Sequence, residues 1–561
     1  MTSASAKAHP NAVGSEVETP SEPAEPQAPP APAAAAPAPM PPLRASGYML
    51  ASLLLALTQG LGMNLISANL PQIQGSLGAT ANEATWLVAV YMAPNVSLSL
   101  ALIKIRTQYG LRNFAELSIL VFMLVSLMHL FVNDLHSALI VRFFSGIAAA
   151  PMSSLGFLYM LEAFPPAKKL NIGLSLALTN LSFGAPVARL IAPDLLMLGQ
   201  WHGLYVFEIA IAMLAFAAVY LLPLTPQPRA KVIHWRDVLS YLLIAIGFGL
   251  TAMVLTLGRV YWWFEAPWLG IMLAVGIAAV TVAVVLELNR ESPLLDIRWL
   301  ASKEVVHFTG ALLIFRIALS EQTSGAFAFF QALGLQNEQM QMLSLVILAA
   351  SILGGLACAA IVKPDREHAI HIVALSLLIA GAVMDSRATN LTRPAEMYLS
   401  QALIAFAGAL FLPPAMASGL MMALKKGPTY ILSFVIVFLT TQSIGGVLGS
   451  AIVGSFITWR TRFHIQALAN HLPLTDPLVI QRLSQLAGAY GRVIGDKALL
   501  NAEGAILLGQ QVTREATVLA YNDAFLAIAG IAAFALVALI VHVAVRTVAA
   551  RLSPAPQPAA A

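Results

Sequence analysis

A few charged residues lie where charge is expensive, and they define the chemistry open to this chain. Arg142 sits in Ser137-Ala-Leu-Ile-Val-Arg142-Phe-Phe-Ser145-Gly146, an otherwise apolar stretch long enough to cross a bilayer. A guanidinium keeps its proton in a protein. At membrane depth it costs at least about 2.5 kcal/mol, so it faces the protein interior or a wet cavity. Gly146 and the alanines after it let a neighbouring helix approach closely. Two readings follow: a residue on a pathway through the membrane, or an arginine that ties helix ends together through carbonyl groups. Arg316 and Glu321 bring two more charges to midspan in Leu313-Ile-Phe-Arg316-Ile-Ala-Leu-Ser320-Glu321. Five residues turn a helix by about 500°, so these two face different ways and each needs a partner on another helix. A carboxyl in a poorly solvated site can trade protons near neutral pH. Glu321 is therefore the expected proton carrier, with a buried structural ion pair as the other reading. Glu208, in Tyr205-Val-Phe-Glu208, and Asp194 are further candidates for proton coupling. Arg189 and Asp194 share the same five-residue spacing and pair only if Pro193 distorts the helix.

The elements that must hold these residues are apolar runs. The chain has 561 residues, 58% of them hydrophobic and 10% charged, against about 25% charged in soluble domains. Composition places it among polytopic membrane proteins, and apolar runs of about 20 residues make the expected fold all-α. Residues 1–46, rich in Pro, Ala, Ser and Glu, read as a disordered cytoplasmic tail. Fourteen spans are expected near 47–69, 84–103, 114–132, 136–160, 170–191, 203–223, 239–257, 267–287, 305–331, 340–362, 368–386, 396–422, 430–457 and 522–546. No cleavable signal peptide is apparent at the start, so the first span is expected to direct insertion.

Lysine and arginine in short loops set the orientation. One side holds Lys104, Arg106, Arg112, Lys168, Lys169, Arg229, Lys231, Arg236, Arg290, Arg298, Lys303, Lys363, Arg366, Lys425 and Lys426, with Lys7, Arg44, Arg546 and Arg551 in the tails. The other side has only Arg259, Arg387 and Arg393 in its short loops. Nineteen basic residues against three put both termini in the cytoplasm and make the span count even. Residues 458–521 are then a long external connection with helical apolar spacing at 479–488 and 503–512. That connection reads either as a cap over the exit or as a docking surface for a periplasmic partner.

Other functions find no support. A pI near 9.1 reflects the loop bias and not nucleic-acid binding. Cys358 is the sole cysteine and reads as packing. The histidines, His129, His307 and His542 among them, have no metal-site spacing. No P-loop or hydrolase motif is present, so an enzyme or ATP-driven pump is not expected.

Asn69-Leu70-Pro71-Gln-Ile, Trp86-Leu-Val-Ala-Val-Tyr91, Arg142-x-x-Ser145-Gly146 and Ser443-Ile-Gly445-Gly446-Val-Leu-Gly449 follow one another along the chain, and with them the chain resembles, over about 45–547, the 14-spanner drug:H⁺ antiporter group (EmrB/QacA-like) of the major facilitator superfamily. Asn69-Leu70-Pro71-Gln-Ile is similar to the "ALPxI" that closes the family's first helix, and Trp86-Leu-Val-Ala-Val-Tyr91 to the opening of the second. Arg142-x-x-Ser145-Gly146 resembles the fourth-helix "RxxQG". Trp201-His202 resembles the approach to the sixth helix. Trp262, Trp263, Trp268 and Ser292-Pro-Leu-Leu-Asp296 resemble the inserted pair and its exit. Ser443-Ile-Gly445-Gly446-Val-Leu-Gly449 resembles the eleventh-helix glycine run, and Arg514 to Phe525 the entry to the last helix. The resemblance implies six-helix bundles at 47–223 and 305–547, a linker at 224–304 carrying two extra spans, and a cytoplasmic tail at 548–561. It implies alternating access around a midplane site, no cofactor beyond the proton gradient, and, in Gram-negative members, a membrane-fusion adaptor and an outer-membrane channel as partners.

Departures from the family pattern shape the mechanism. The acidic position of the motif after the second helix falls at Thr107, so gating must use other contacts. Pro186 survives from the fifth-helix motif, but Arg189 and Asp194 replace its glycines. The first-helix acid of cation exporters is missing, and Asn64 can only hydrogen-bond. Substrate or gating roles are therefore expected for Arg142, Arg189, Arg316, Asn64, Gly146, Pro186, Gly445 and Gly446. The expected activity is proton-driven export of small amphiphilic compounds, anionic or neutral, through the bacterial inner membrane. The alternatives are a dedicated metabolite transporter, or a non-transporting sensor or scaffold built on the same fold.

Overall fold

The computed structural model describes residues 40–98, 102–226, 229, 231–290, 293–363 and 365–552. The expected N-terminal tail up to residue 39, and Ser292, lie outside the described residues. Every regular element among the described residues is a helix. The long helices are Pro42–Ala68 (α1), Ala81–Leu98 (α2), Leu111–Met128 (α3), Leu135–Glu162 (α4), Leu174–Leu181 (α5) and Gly184–Leu221 (α6). Then come Trp235–Leu257 (α7) and Pro267–Leu288 (α8). The remainder are Lys303–Ala318 (α9), Phe327–Ala332 (α10), Gln341–Ile361 (α11), Glu367–Asp385 (α12), Tyr398–Lys426 (α13), Pro428–Asn470 (α14), Pro477–Gly488 (α15) and Lys497–Leu552 (α16).

Twelve helices among the described residues are long and apolar enough to cross a membrane. They match twelve of the fourteen expected spans. The second and ninth expected spans are helical but fall short of that measure. α2 ends where the described residues stop. The ninth is divided into α9, a wide π turn at Glu321–Ala326, and α10. The first helix begins earlier than expected, at Pro42, because proline suits the first helical position, where its missing N–H has no intrahelical partner to lose. α6 carries more than one span because it doubles back. A Cβ on Gly203 would fall 2.3 Å from the Leu195 carbonyl oxygen, whereas a straight helix would hold those levels about 12 Å apart.

Small residues set the closest helix contacts, as expected where apolar area alone cannot favour helix over lipid. A Cβ on Gly60 would meet the Gly184 Cα at 2.6 Å, so α1 and α6 cross backbone to backbone. A Cβ on Gly146 would lie 2.2 Å from the Tyr91 carbonyl oxygen, which seats α4 on α2. One large buried cluster gathers mainly on α9–α16 around Phe329, Phe438 and Phe525. Two others gather mainly on α1–α6, around Phe122 and Leu155 and around Leu61 and Leu204.

The inserted helices α7 and α8 are fastened at both ends. At the basic end Asp237 binds Lys104 at 2.9 Å and Arg290 at 2.7 Å, and Arg290 also pairs with Glu287 at 2.7 Å. Lys104 belongs to the motif whose acidic position is Thr107, and Asp237 on the insert provides the carboxylate it binds. At the opposite end, Trp86 Nε1 donates to Tyr261 Oη at 3.1 Å and Trp263 Nε1 donates to Ser455 Oγ at 2.8 Å. The connection between α7 and α8 thus touches both α2 and α14.

The expected long connection at 458–521 is mostly helix. α14 runs on to Asn470, α15 is a separate amphipathic helix, and α16 begins at Lys497 and continues through the last span to Leu552. Asp523 clamps this extension, accepting from Arg460 Nε at 2.6 Å and lying 2.7 Å from His464 Nε2.

Candidate functional site

Arg142 is 1% exposed. Its Nη1 donates to the Gly62 carbonyl at 2.7 Å and its Nε to the Leu87 carbonyl at 3.2 Å. Its guanidinium also lies 4.1 Å from the centre of the Tyr91 ring. One side chain on α4 therefore ties α1 to α2, the carbonyl-tying geometry. Hydrogen bonds from a charged group contribute about 1.5–3 kcal/mol each. Glu208 is buried beside this tie. Ser126 Oγ donates to its Oε1 at 3.4 Å, and a Cβ on Gly62 would lie 3.2 Å from the same oxygen. Its Oε2 and the Tyr91 hydroxyl are buried without partners. His129 completes the cluster, 3.3 Å from Ser145 Oγ and stacked on Tyr205 at 4.0 Å.

Glu321 lies across the molecule, at the first residue of the π turn. Such turns widen a helix by one residue and often occur at functional positions. It is fully buried. Gln401 Nε2 on α13 donates to Glu321 Oε1 at 2.9 Å and Oε2 at 3.0 Å, and to Asp385 Oδ2 at 2.7 Å. Ser400 Oγ donates to Asp385 Oδ1. Sequence reasoning missed Asp385, Gln401 and Ser400. Asp385 ends α12 and Gln401 stands near the start of α13, 80 residues after Glu321, and only the packing of α12 on α13 unites them with Glu321.

Arg316 turns away from Glu321, as the five-residue spacing predicts, and donates from Nε to the Gln442 carbonyl at 3.1 Å. Its stem crosses the glycine run of α14. A Cβ on Gly445 would meet Arg316 Cγ at 2.8 Å, and one on Gly446 would meet Nη2 at 3.0 Å. The guanidinium of Arg189 stacks 4.0 Å from the Phe327 ring centre, and its Nε is buried without a partner. Among the described residues no ion pair joins Arg189 to Asp194, which is exposed. Pro186 is buried near the start of α6, and Asn64 donates within its own helix, to the Gly60 carbonyl at 2.8 Å.

The two ends of the molecule differ. Away from the basic loops, Asn337 Nδ2 donates to the Ala68 carbonyl at 2.9 Å and to Asn69 Oδ1 at 2.8 Å. Gln341 Nε2 donates to the Leu190 carbonyl at 3.0 Å, and Gln72 to Gln336 at 3.3 Å. These amides join the α1 and α6 regions to the start of α11 and hold that end shut. Towards the basic end a cavity of about 860 Å³ lies between the two sets of helices. Its walls include Gln59, Asn95, Arg106, Phe157, Phe438 and Ser443. Its size is that of pockets that enclose small organic ligands, with an apolar wall and a few polar groups. Among the described residues no cluster of metal-ligating side chains is present.

Comparison with known proteins agrees with this architecture. The model of the Major Facilitator Superfamily matches residues 52–386. The chain is 24% identical to multidrug export protein EmrB of Haemophilus influenzae over 271 residues, 46% of this chain and 51% of that one. It is 25% identical to fatty acid resistance protein FarB of Neisseria gonorrhoeae over 272 residues, again 46% and 51%. The chain thus spans about half the length of these two relatives. The match to EmrB of Escherichia coli K12 is 23% over 520 residues, 87% of this chain and 94% of that one. Among solved structures, the human organic anion transporter MFSD10 aligns with a TM-score of 0.51 at 12% identity, covering 88% of this chain and all of that one. The proton:xylose symporter XylE aligns at 0.50 and 12%, covering 87% and 94%.

Proposed function

The chain belongs to the Major Facilitator Superfamily, and from that premise we propose that it exports small amphiphilic organic compounds, anionic or neutral, in exchange for protons. The observation that carries the reading is the cavity between the two sets of helices, open towards the basic end and sealed at the other by the Asn337–Asn69 contact. Basic loops favour the cytoplasmic side, so this is an inward-facing state of an inner-membrane transporter with cytoplasmic termini. Alternating access breaks the amide seal and closes the cavity. Glu321 is the proton carrier, and no cofactor beyond the proton gradient is needed. Arg106 at the cavity wall and the absence of a first-helix carboxylate support anionic or neutral cargo. Relatives named for multidrug export and fatty acid resistance support the direction and the amphiphilic class. The α14–α16 extension would meet a periplasmic membrane-fusion adaptor that leads to an outer-membrane channel.

The test is an accumulation and susceptibility panel in a pump-deficient bacterial host, with and without the adaptor. It compares wild type with Glu321→Gln and Arg142→Ala at matched membrane expression, with and without an uncoupler. Lowered accumulation of anionic or neutral amphiphiles, abolished by the uncoupler and by Glu321→Gln, is the expected result. Export of cationic dyes alone, or export indifferent to the uncoupler, overturns the reading.

A further inference from the structure

Glu321 does not act alone. Its carboxyl and that of Asp385 converge on one nitrogen, Gln401 Nε2, at 2.9 Å and 2.7 Å. Ionised carboxylates only accept hydrogen bonds. Two of them held against one amide nitrogen repel, and one proton held in common by the pair removes that repulsion. The hydrogens available locally confirm the shortage. The Gln401 amide has two and the Ser400 hydroxyl one, yet Gln401 Nε2 faces three carboxyl oxygens. Ser400 Oγ faces both Asp385 Oδ1 and, at 3.0 Å, the Met397 carbonyl. Gln401 Oε1, buried without a donor, shows that the site has unused accepting capacity as well. Glu321 and Gln401 are 0% exposed, Ser400 1% and Asp385 3%, so bulk water does not make up the deficit.

Resting on the proton-driven reading above, the geometry points to Glu321 and Asp385, bridged by Gln401 and with Ser400 on Asp385, as one coupling site that holds a single shared proton. Among the described residues no ion pair joins a cation to either carboxyl. Arg316 on α9 is turned onto Gln442, α16 presents the Phe525 ring, and Arg460, His464 and Asp523 on α14 and α16 are engaged with one another. Arg387, just beyond Asp385, is exposed. Losing the proton leaves two like charges on one amide. Movement of the π turn away from α12 relieves them, which ties protonation to the position of α9–α10 relative to α12–α13.

The test is infrared difference spectroscopy of the full chain in lipid nanodiscs, titrated with alkali in choline buffer and again in sodium buffer. It needs no substrate, so an export panel that fails sinks the proposed function without touching this result. Wild type should show a protonated-carboxyl stretch that is lost on raising the pH. Glu321→Gln and Asp385→Asn should each remove or shift that same band. Glu116→Gln, at an exposed ion pair with Arg112, should leave it in place. Should either carboxyl variant fail to fold, Ser400→Ala decides, because loss of its hydroxyl must shift the band. A band that survives Asp385→Asn unchanged, one indifferent to Ser400→Ala, or one removed by sodium at constant pH overturns the shared-proton site.

Discussion

Asn337 is the residue on which the sealed end most depends. It is 4% exposed and a single amide nitrogen donates to both the Ala68 carbonyl and Asn69 Oδ1. Asn69 is held in turn by its own donation to the Leu65 carbonyl at 2.7 Å, so it presents its oxygen at a fixed place. Replacing Asn337 with alanine removes two buried hydrogen bonds that exist only while this end is shut. At about 1 kcal/mol net for each, the sealed state loses about 2 kcal/mol. That is about a 30-fold change in the ratio of sealed to open molecules. The Gln72–Gln336 contact is a useful comparison because it is exposed, and Gln72→Ala should move the same ratio by no more than about 0.5 kcal/mol.

Pulsed electron spin resonance between labels at Ser76 and Glu338 reads the ratio directly. Both positions are exposed and flank the seal. The sole native cysteine, Cys358, is fully buried and should stay unlabelled. Asn337→Ala should raise the long-distance population strongly, and Gln72→Ala only slightly. A distance distribution for Asn337→Ala that matches wild type would refute the assignment of this contact as the seal.

Three further outcomes test the framework. Arg142→Ala leaves the Gly62 and Leu87 carbonyls without their donor and should lower stability in detergent by about 3–6 kcal/mol. Arg142→Lys, with a point charge in place of the fork, should lie between Ala and wild type in melting temperature. Gly445→Val puts carbon where Arg316 Cγ lies at 2.8 Å; it should cost about 1–3 kcal/mol, and combining it with Arg316→Ala should recover part of the loss in the same melting assay. A double-mutant cycle of Lys104→Ala and Asp237→Ala should give a coupling of about 0.5–3 kcal/mol, whereas simple additivity would show that the inserted helices are not anchored through this pair.

What the sequence reveals differs from one site to the next for physical reasons. Arg142 is legible because a guanidinium amid alanines has few ways to satisfy its donors, and carbonyl tying was one of the two readings. The separation of Arg316 from Glu321 follows from helical geometry alone. Asp385 is not legible as a partner of Glu321. A carboxylate at the end of an apolar run resembles any interfacial residue, and only the approach of α12 to α13 marks it out. Asn337 and Asp237 escape for the same reason, since each works through a contact far away in the chain. The ninth span is legible in place but not in form. The charges that make it interesting also lower its apolarity, and the π turn that positions Glu321 has no simple sequence pattern. The external connection reads correctly as helical at 479–488 and 503–512, but the continuity of α16 with the last span was hidden by the polar residues that precede it.

The structure also redistributes the positive charge on which an anionic cargo depends. Arg142 and Arg316 donate to carbonyls, and Arg189 stacks on Phe327 at the sealed side. Lys104 is matched by Asp237. At the cavity wall Arg106 is the basic residue to which an entering anion would respond. A charge pair at about 4 Å gains about 1 kcal/mol in water and about 4 kcal/mol at the effective dielectric of a protein surface. Arg106→Gln should therefore raise the KM of an anionic probe by about 5- to 1,000-fold, and high salt should shrink the difference. A neutral isostere of that probe should keep its KM. Equal changes for both probes would mean that Arg106 shapes the cavity without selecting charge, and cargo preference would then have to arise at Arg189, on the side that opens second.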